Sequence, residues 1–175
     1  MGDTLIIVFV IGLVAVLMFV FPLMTMSDRT DDIAQLTVEA ATTDFVNDVS
    51  TTGVLTMDKY SKFVENISST GNAYDVEMQI RVLDENPGKK TTQVDSKKIG
   101  DNKYVDEYTT QVLEKLEKDG IRNLKEGDIF IARSKNISKT PSQQLSNFFY
   151  AVAGDDTYTI AAEHAGMVTV NGSGK

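Results

Sequence analysis

The chain has 175 residues and a formal net charge of −8, with one histidine and no cysteine. The absence of cysteine excludes disulfides, thiolate metal sites and thiol nucleophiles. The excess of acidic residues argues against nucleic acid as a partner and against peripheral binding to anionic lipid.

Residues 5–24 are the most informative feature, because they carry no charged side chain and are almost all apolar. A helix of ~20 residues spans ~30 Å, the thickness of the hydrocarbon core of a bilayer. A buried core helix would carry a polar stripe, and a cleaved secretory signal would need a basic start and a small-x-small cleavage site. We therefore expect a short N-terminus at residues 1–4 and a transmembrane helix over residues 5–26. Lysine and arginine are nearly absent around it, so charge predicts no orientation.

The helix is expected to continue beyond the membrane as an amphipathic stalk over residues 27–53. Pro22 lies late in the apolar stretch and predicts a kink rather than an end. Residues at three- and four-residue intervals predict one buried face, which consists of Ile33, Leu36, Ala40, Ala41, Phe45, Val46 and Val49. Gly53 is expected to end the helix, because glycine readily adopts the positive φ found just after a helix C-terminus. A fresh start at Thr30 or Asp31 would instead give two helices joined by a hinge, and this alternative stays open.

Residues 54–175 have the composition of one mixed soluble domain. Residues 56–70 predict an amphipathic helix that Thr56 caps and Gly71 terminates. Its expected apolar face consists of Tyr60, Phe63, Val64 and Ile67. Residues 73–84 alternate apolar and polar side chains and predict a strand, which a turn at 85–88 and a lysine-rich loop at 89–103 follow.

The pattern beyond this loop predicts a third helix over residues 103–119, ending at Gly120. Its expected buried stripe is Val105, Tyr108, Val112 and Leu116. Residues 129–136 predict a strand with an open register. Its inward residues are either Ile129, Ile131 and Arg133 or Phe130, Ala132 and Ser134.

The last part of the chain predicts a short helix at 140–150, a turn at 154–156 and a strand or bent pair of strands at 158–170. Gly166 interrupts this last strand and is interpreted as a bulge, and residues 171–175 are expected to fray. Together these elements predict an α+β fold with an antiparallel sheet, preceded by the transmembrane helix and its amphipathic continuation.

Few residue patterns point to chemistry. The chain lacks a GxxxxGK[ST] loop, a GxGxxG motif and an SxxK dyad. Asp75 and Glu77 share one side of the predicted strand, as an acid–base pair does, but further polar residues on that side favour a solvated surface. Asp155 and Asp156 favour a simple turn, because the ligand pattern of a calcium loop is missing. We expect no enzyme, no cofactor, no metal site and no small-molecule substrate.

The arrangement of the chain resembles a known family. An apolar N-terminal helix with a late proline leads into an amphipathic helix and a small α+β head, and residues 37–78 read TVEAATTDFVNDVSTTGVLTMDKYSKFVENISSTGNAYDVEM. This is similar to type IV pilin-like subunits, in particular the minor pilin-like or pseudopilin-like proteins of tight-adherence (Tad) pilus systems. The resemblance implies an anchor in the lipid bilayer, a head outside the cytoplasm, and other pilin-like subunits or assembly-platform proteins as partners.

Such pilins usually carry a basic leader that ends in glycine and a glutamate five residues into the mature chain. Here the early glycine is Gly2, no basic residue precedes it, and Ile7 stands at the fifth position after it. A permanently anchored accessory subunit therefore fits better than a major polymerising one. An anchored extracytoplasmic domain that binds or senses a ligand is the alternative function.

Small residues in the membrane segment mark a candidate packing face. Helices in lipid associate through close packing of small side chains, and Gly12 and Ala15 lie about one turn apart, with Phe19 and Pro22 beyond them as further candidate packing residues. Lipid contact alone explains the same residues equally well. A second candidate surface is the stalk, through Ile33, Leu36 and Phe45.

Overall fold

The computed structural model describes residues 2–84, 104–140 and 159–174. The long helix α1 (Gly2–Thr52) comes first, followed by strand β1 (Val54–Thr56) and helix α2 (Met57–Ser68). The remaining elements are β2 (Tyr74–Leu83), β3 (Tyr104–Tyr108), α3 (Thr109–Asp119), β4 (Ile121–Asn123), β5 (Ile129–Asn136) and β6 (Ala161–Met167). The elements after Thr52 are called the head.

Helix α1 is one continuous helix that contains Pro22, as predicted, and no second helix starts at Thr30 or Asp31. It ends at Gly53, which has φ of 65° and donates its N–H to the carbonyl of Val49 at 2.8 Å. A side chain at Gly53 would also collide with the backbone of Gly172. Only glycine fits this junction, because it needs both a positive φ and a close approach of backbones.

The head contains a four-stranded antiparallel sheet of order β3-β2-β5-β6 and a two-stranded sheet of β1 and β4. The predicted α+β fold is confirmed. Strand β2 turns Met78 and Ile80 inward, as its alternation predicts. Strand β5 takes the second of its two possible registers, with Phe130, Ala132 and Ser134 inward.

The second half of α1 lies against β5, β6 and α2 and forms part of the core. Phe45 stacks on Phe63 of α2 with ring centroids 4.5 Å apart and meets the edge of Phe130 at 5.4 Å. Val38, Val46 and Val49 of the same helix are fully buried. The head is therefore built on α1 rather than suspended from it.

The prediction that Ile33, Leu36 and Ala40 share the buried face of α1 is wrong. Ile33 and Leu36 are 64% and 65% exposed, and Ala40 is also exposed. The buried positions on this helix are Asp31, Ala34, Val38, Ala41, Thr42, Phe45, Val46, Val49 and Ser50. Both sides of the helix carry apolar residues at helical spacing, so spacing alone does not identify the side that the sheet covers.

The predicted helix over 103–119 begins later than expected. Residues 104–108 form β3, which pairs with β2, and α3 follows at Thr109. Val112 and Leu116 are buried as predicted, but Val105 and Tyr108 are exposed. The hydroxyl of Thr109 bonds both the N–H and the carbonyl of Met78, at 2.7 and 3.1 Å, so contact with β2 sets this boundary.

The end of the chain also differs from expectation. Strand β6 pairs with β5 without a break, so Gly166 is not a bulge. A Cβ at Gly166 would collide with Ser50 and Val46 of α1, and glycine instead permits close packing of strand and helix. Residues 171–174 are held rather than frayed, since Gly172 donates to the carbonyl of Leu124 and Gly174 to the side chain of Asn123.

Four predicted features lie outside the described residues. They are the turn at 85–88, the lysine-rich loop at 89–103, the short helix beyond Thr140 and the turn at 154–156.

Candidate functional site

The first half of α1 is exposed along nearly its whole length. None of the residues in its most apolar 18-residue window is buried. It is long and apolar enough to cross a membrane, and no other helix in the described ranges is. The hydroxyl of Thr25 donates to the carbonyl of Phe21 and that of Thr30 to Met26, so these side chains are satisfied within the helix.

The four predicted packing residues of this segment, Gly12, Ala15, Phe19 and Pro22, lie on one line along the helix. A Cβ at Gly12 would meet no atom within 4 Å, so the fold of the chain itself does not require glycine there. Continued at the same spacing, the line passes through Ile33 and Leu36. Phe45, also predicted as an interaction residue, lies on the opposite side within the core.

Helix and head are joined by polar contacts as well as by packing. The side-chain amide of Gln35 donates to the carbonyl of Ala161 at 2.8 Å and accepts from its N–H at 3.1 Å, as a neighbouring strand would. At the other end of β6, Thr169 donates its N–H to the carbonyl of Ser50 at 3.0 Å. Because these bonds use backbone groups at the outer edge of the sheet, α1 protects that edge from pairing with another strand.

A buried carboxylate on α1, a few residues after the apolar segment, accepts a hydrogen bond from the head. Thr140 is fully buried and donates its hydroxyl to Oδ2 of Asp31 at 2.6 Å. Oδ1 of Asp31 is buried and has no hydrogen-bond partner within the described part of the chain. Burial raises the pKa of Asp31; the bond from Thr140 opposes this shift, and the charges of Asp28 and Asp32 add to it.

The outer face of the sheet is charged and open. Arg133 forms an ion pair with Glu163 at 3.0 Å and lies opposite Glu77 across the strands. Asp75 and Glu77 border an open groove of ≈ 410 Å³. The hydrogen bond and the charge attraction between these two side chains raise the pKa of Arg133 and lower that of Glu163. Both side chains are about half exposed, so this ion pair contributes little to stability. These features are those of a solvated sheet face.

Among the described residues no group of three or more histidine, cysteine, aspartate or glutamate side chains is arranged to hold a metal ion. His164 is half-buried on β6, opposite Ala132. Asp155 and Asp156 lie outside the described ranges. The most distinctive part of the described structure is thus α1 and its joint with the head.

Sequence reasoning missed three features of this joint. They are the hydrogen bond of Asp31, the hydrogen bonds of Gln35 and the close packing at Gly166. Asp31 and Gln35 are polar and were placed outside the apolar pattern. A polar residue on the inner side of a helical stripe is a signal for a specific hydrogen bond, but the partners of Asp31 and Gln35 lie more than one hundred residues away in sequence.

Comparisons of the chain with protein-family models, with curated proteins and with solved structures found no match.

Proposed function

We propose that the chain is a non-enzymatic, membrane-anchored accessory subunit of a Tad or type IV-like pilus or secretion system. In this proposal the first half of α1 lies in the bilayer, the head lies outside the cytoplasm, and the partners are other pilin-like subunits or assembly-platform proteins. Support comes from the shape of the chain, a long apolar helix followed by a small α+β head with an antiparallel sheet.

One observation carries the proposal: the exposed apolar segment and a wall of the head core belong to the same helix. Val46 and Val49 lie in the core and are continuous in α1 with residues 5–24. One continuous helix runs from the apolar segment into the head core, so no flexible linker separates the two. This suits a subunit that is inserted, extracted or packed as one piece better than a sensing domain on a flexible tether.

The proposal is tested in membranes and in wall-stripped cells. The chain is expected to resist alkaline carbonate and to be released by detergent, because transfer of the apolar stretch into lipid is not reversed by ionic means. External proteinase should remove the head in intact cells, and in-cell crosslinking should recover pilin-like or assembly-platform proteins. Full-length protein in the soluble fraction, or a head digested only after lysis, would contradict the anchor and the orientation respectively.

Failure to crosslink any assembly component in cells with a correctly inserted chain would remove the pilus role. The ligand-binding alternative would then become the better explanation. Neighbouring genes for a secretion ATPase and a polytopic assembly protein provide an independent check.

A further inference from the structure

The head approaches the apolar segment of α1 through residues 136–140, which we call the proximal segment. The end of β5 lies beside Ala161, whose N–H donates to the side chain of Gln35. The proximal segment then continues to Thr140, which donates to Asp31, about one helical turn nearer the apolar segment. The chain therefore runs along α1 toward the apolar segment as it leaves the sheet.

The distance between the proximal segment and a bilayer is set by α1, because the helix has no break between Met24 and Asp31. At ~1.5 Å per residue, Asp31 lies ~10 Å beyond Met24 along the helix axis. A bilayer is ~30 Å thick in its hydrocarbon core and ~40–45 Å thick with its headgroups, so each headgroup layer takes up ~5–8 Å. When residues 5–24 span the core, the proximal segment lies within about one helical turn of the headgroups.

A modest tilt of α1 closes this remaining gap. Helices that span membranes tilt by ~20° on average. The proximal segment is offset from the axis of α1, on the side of the head, so a tilt toward the head lowers it into the headgroup layer.

The composition of this end of the head suits a layer of lipid headgroups. Ile137 is 69% exposed. Residues 135–140 read KNISKT and contain two lysines and no acidic residue, in a chain whose net charge is −8. Residues 68–73 read SSTGNA and contain no charge, and the carbonyl of Ala73 accepts the N–H of Ile137. Asp31, which meets the proximal segment, is only 4% exposed. An apolar side chain between lysines can enter lipid while the ammonium groups stay at the phosphates.

We infer that the proximal segment rests on the surface of the lipid bilayer that α1 spans, with Ile137 in the headgroup layer and Lys135 facing lipid phosphates. Lipid is favoured over a protein partner because the unbroken helix brings the bilayer to this place whichever other proteins are present. The inference rests on the anchor of the proposed function and goes beyond it, since it assigns a second contact, between head and lipid.

Contact between head and lipid sets the direction in which α1 leans. Ile33 is 64% exposed on the side of α1 that faces away from the head, and its position along the helix is between Asp31 and Gln35. A lean toward the head raises Ile33 away from the membrane while it lowers Ile137. The two isoleucines therefore differ in environment, Ile137 in lipid and Ile33 in water.

Spin labels measure this difference, because the chain contains no cysteine and single cysteines can be introduced. Full-length chain with Ile137→Cys, Ile33→Cys or Tyr108→Cys carries one nitroxide and is reconstituted into liposomes of phosphatidylcholine and phosphatidylglycerol. Tyr108 is the control far from the membrane: it is 59% exposed and pairs with Gln79, well along the sheet from the proximal segment. All three labelled residues are exposed, so the label leaves the head folded.

Oxygen concentrates in lipid and a nickel chelate concentrates in water, so the ratio of their collision rates with the nitroxide reports its depth. This ratio should be several-fold higher at Ile137→Cys than at Ile33→Cys or Tyr108→Cys. Adding Lys135→Glu should lower the ratio at Ile137→Cys, because it replaces attraction to phosphates by repulsion. Lys118→Glu, a change of an exposed lysine on α3, is the matched control and should leave the ratio unchanged.

Equal ratios at Ile137→Cys and Tyr108→Cys would show that the head stands clear of lipid and would overturn the inference. Equal ratios at Ile137→Cys and Ile33→Cys would overturn it too, because depth alone would then explain both. Exclusion of both oxygen and the chelate from Ile137→Cys would show that protein and not lipid covers this end. Flotation of the liposomes tests the anchor separately. A chain that does not float contradicts the proposed function as well, whereas a floating chain with Ile137→Cys in water contradicts this inference alone.

Discussion

At the scale of single residues, the joint between helix and head depends on positions where size or charge is tightly constrained. Gly166 permits β6 to approach Ser50 and Val46, and Gly53 permits the C-terminal segment to cross the end of α1. Asp31 is different, because its burial costs free energy when it is ionised. It holds Thr140 but leaves one carboxylate oxygen without a partner in the described part of the chain.

Asp31 gives a prediction about pH. Its folded pKa lies above the ordinary value of 3.8, so its contribution to stability is full below that value and is lost as pH rises through the raised pKa. Asp31→Asn keeps an acceptor for Thr140 and removes the ionisation. Thermal unfolding should therefore lose less stability between acid and neutral pH in Asp31→Asn than in the unchanged chain.

Asp44→Asn is the matched control, since Asp44 is an exposed aspartate on the same helix. It should keep the pH dependence of the unchanged chain. The same pH dependence in Asp31→Asn would mean that Asp31 ionises as easily in the folded protein as in the unfolded chain.

At the scale of elements, α1 has two sides with different roles. One side forms a wall of the head core, and the other carries exposed apolar side chains such as Ile33 and Leu36. The edge of β6 illustrates the first role, because Gln35 bonds Ala161 as a strand would and Ser50 accepts from Thr169. A helix thus completes the sheet on that side.

The two sides predict a large and a small effect when a side chain is replaced by alanine in the detergent-solubilised chain. Phe45→Ala removes a ring that contacts Phe63 and Phe130, and it should lower the free energy of unfolding by about 3–5 kcal/mol. Leu36→Ala should change it by no more than about 0.5 kcal/mol, since Leu36 is exposed. Denaturant unfolding followed by circular dichroism measures both. A large loss for Leu36→Ala would place that side chain in the core.

At the scale of the whole molecule, the division into anchor and head does not coincide with the end of a helix. Among the residues that the structure describes, six of the eighteen buried apolar core residues belong to α1: Ala34, Val38, Ala41, Phe45, Val46 and Val49. The head therefore shares its core with the second half of α1, and a chain cut at residue 54 would lose one wall of that core.

This organisation predicts the outcome of trimming the chain. A chain of residues 27–175 lacks the apolar segment but keeps the whole core, and it should be soluble and unfold cooperatively. A chain of residues 54–175 lacks the α1 wall, so Phe63 and Phe130 lose their contact with Phe45. This chain should aggregate or show no cooperative transition. Cooperative unfolding of the shorter chain would show that α1 is dispensable for the head.

The elements predicted correctly are those with a strong local signal. Continuity of α1 through Pro22 followed from the helical pattern on both sides of it, and the inward face of β2 followed from its alternation. Thr56 and Gly120 were recognised as helix limits because capping and positive φ are local properties. Strands β1 and β4 have three residues each, too few to give a period, and were missed.

The sequence by itself determined that the chain has an apolar helix long enough to span a bilayer and an α+β head, since length, periodicity and capping are read from neighbouring residues. Only the tertiary structure decided which side of α1 the sheet covers, which register β5 takes and where β3 gives way to α3. Each of these choices depends on residues distant in sequence, such as Ser134 against Thr42 and Thr109 against Met78. Ile33 and Leu36 satisfy the helical spacing as well as Val38 and Phe45 do, and only the position of β5 and β6 distinguishes the two sides.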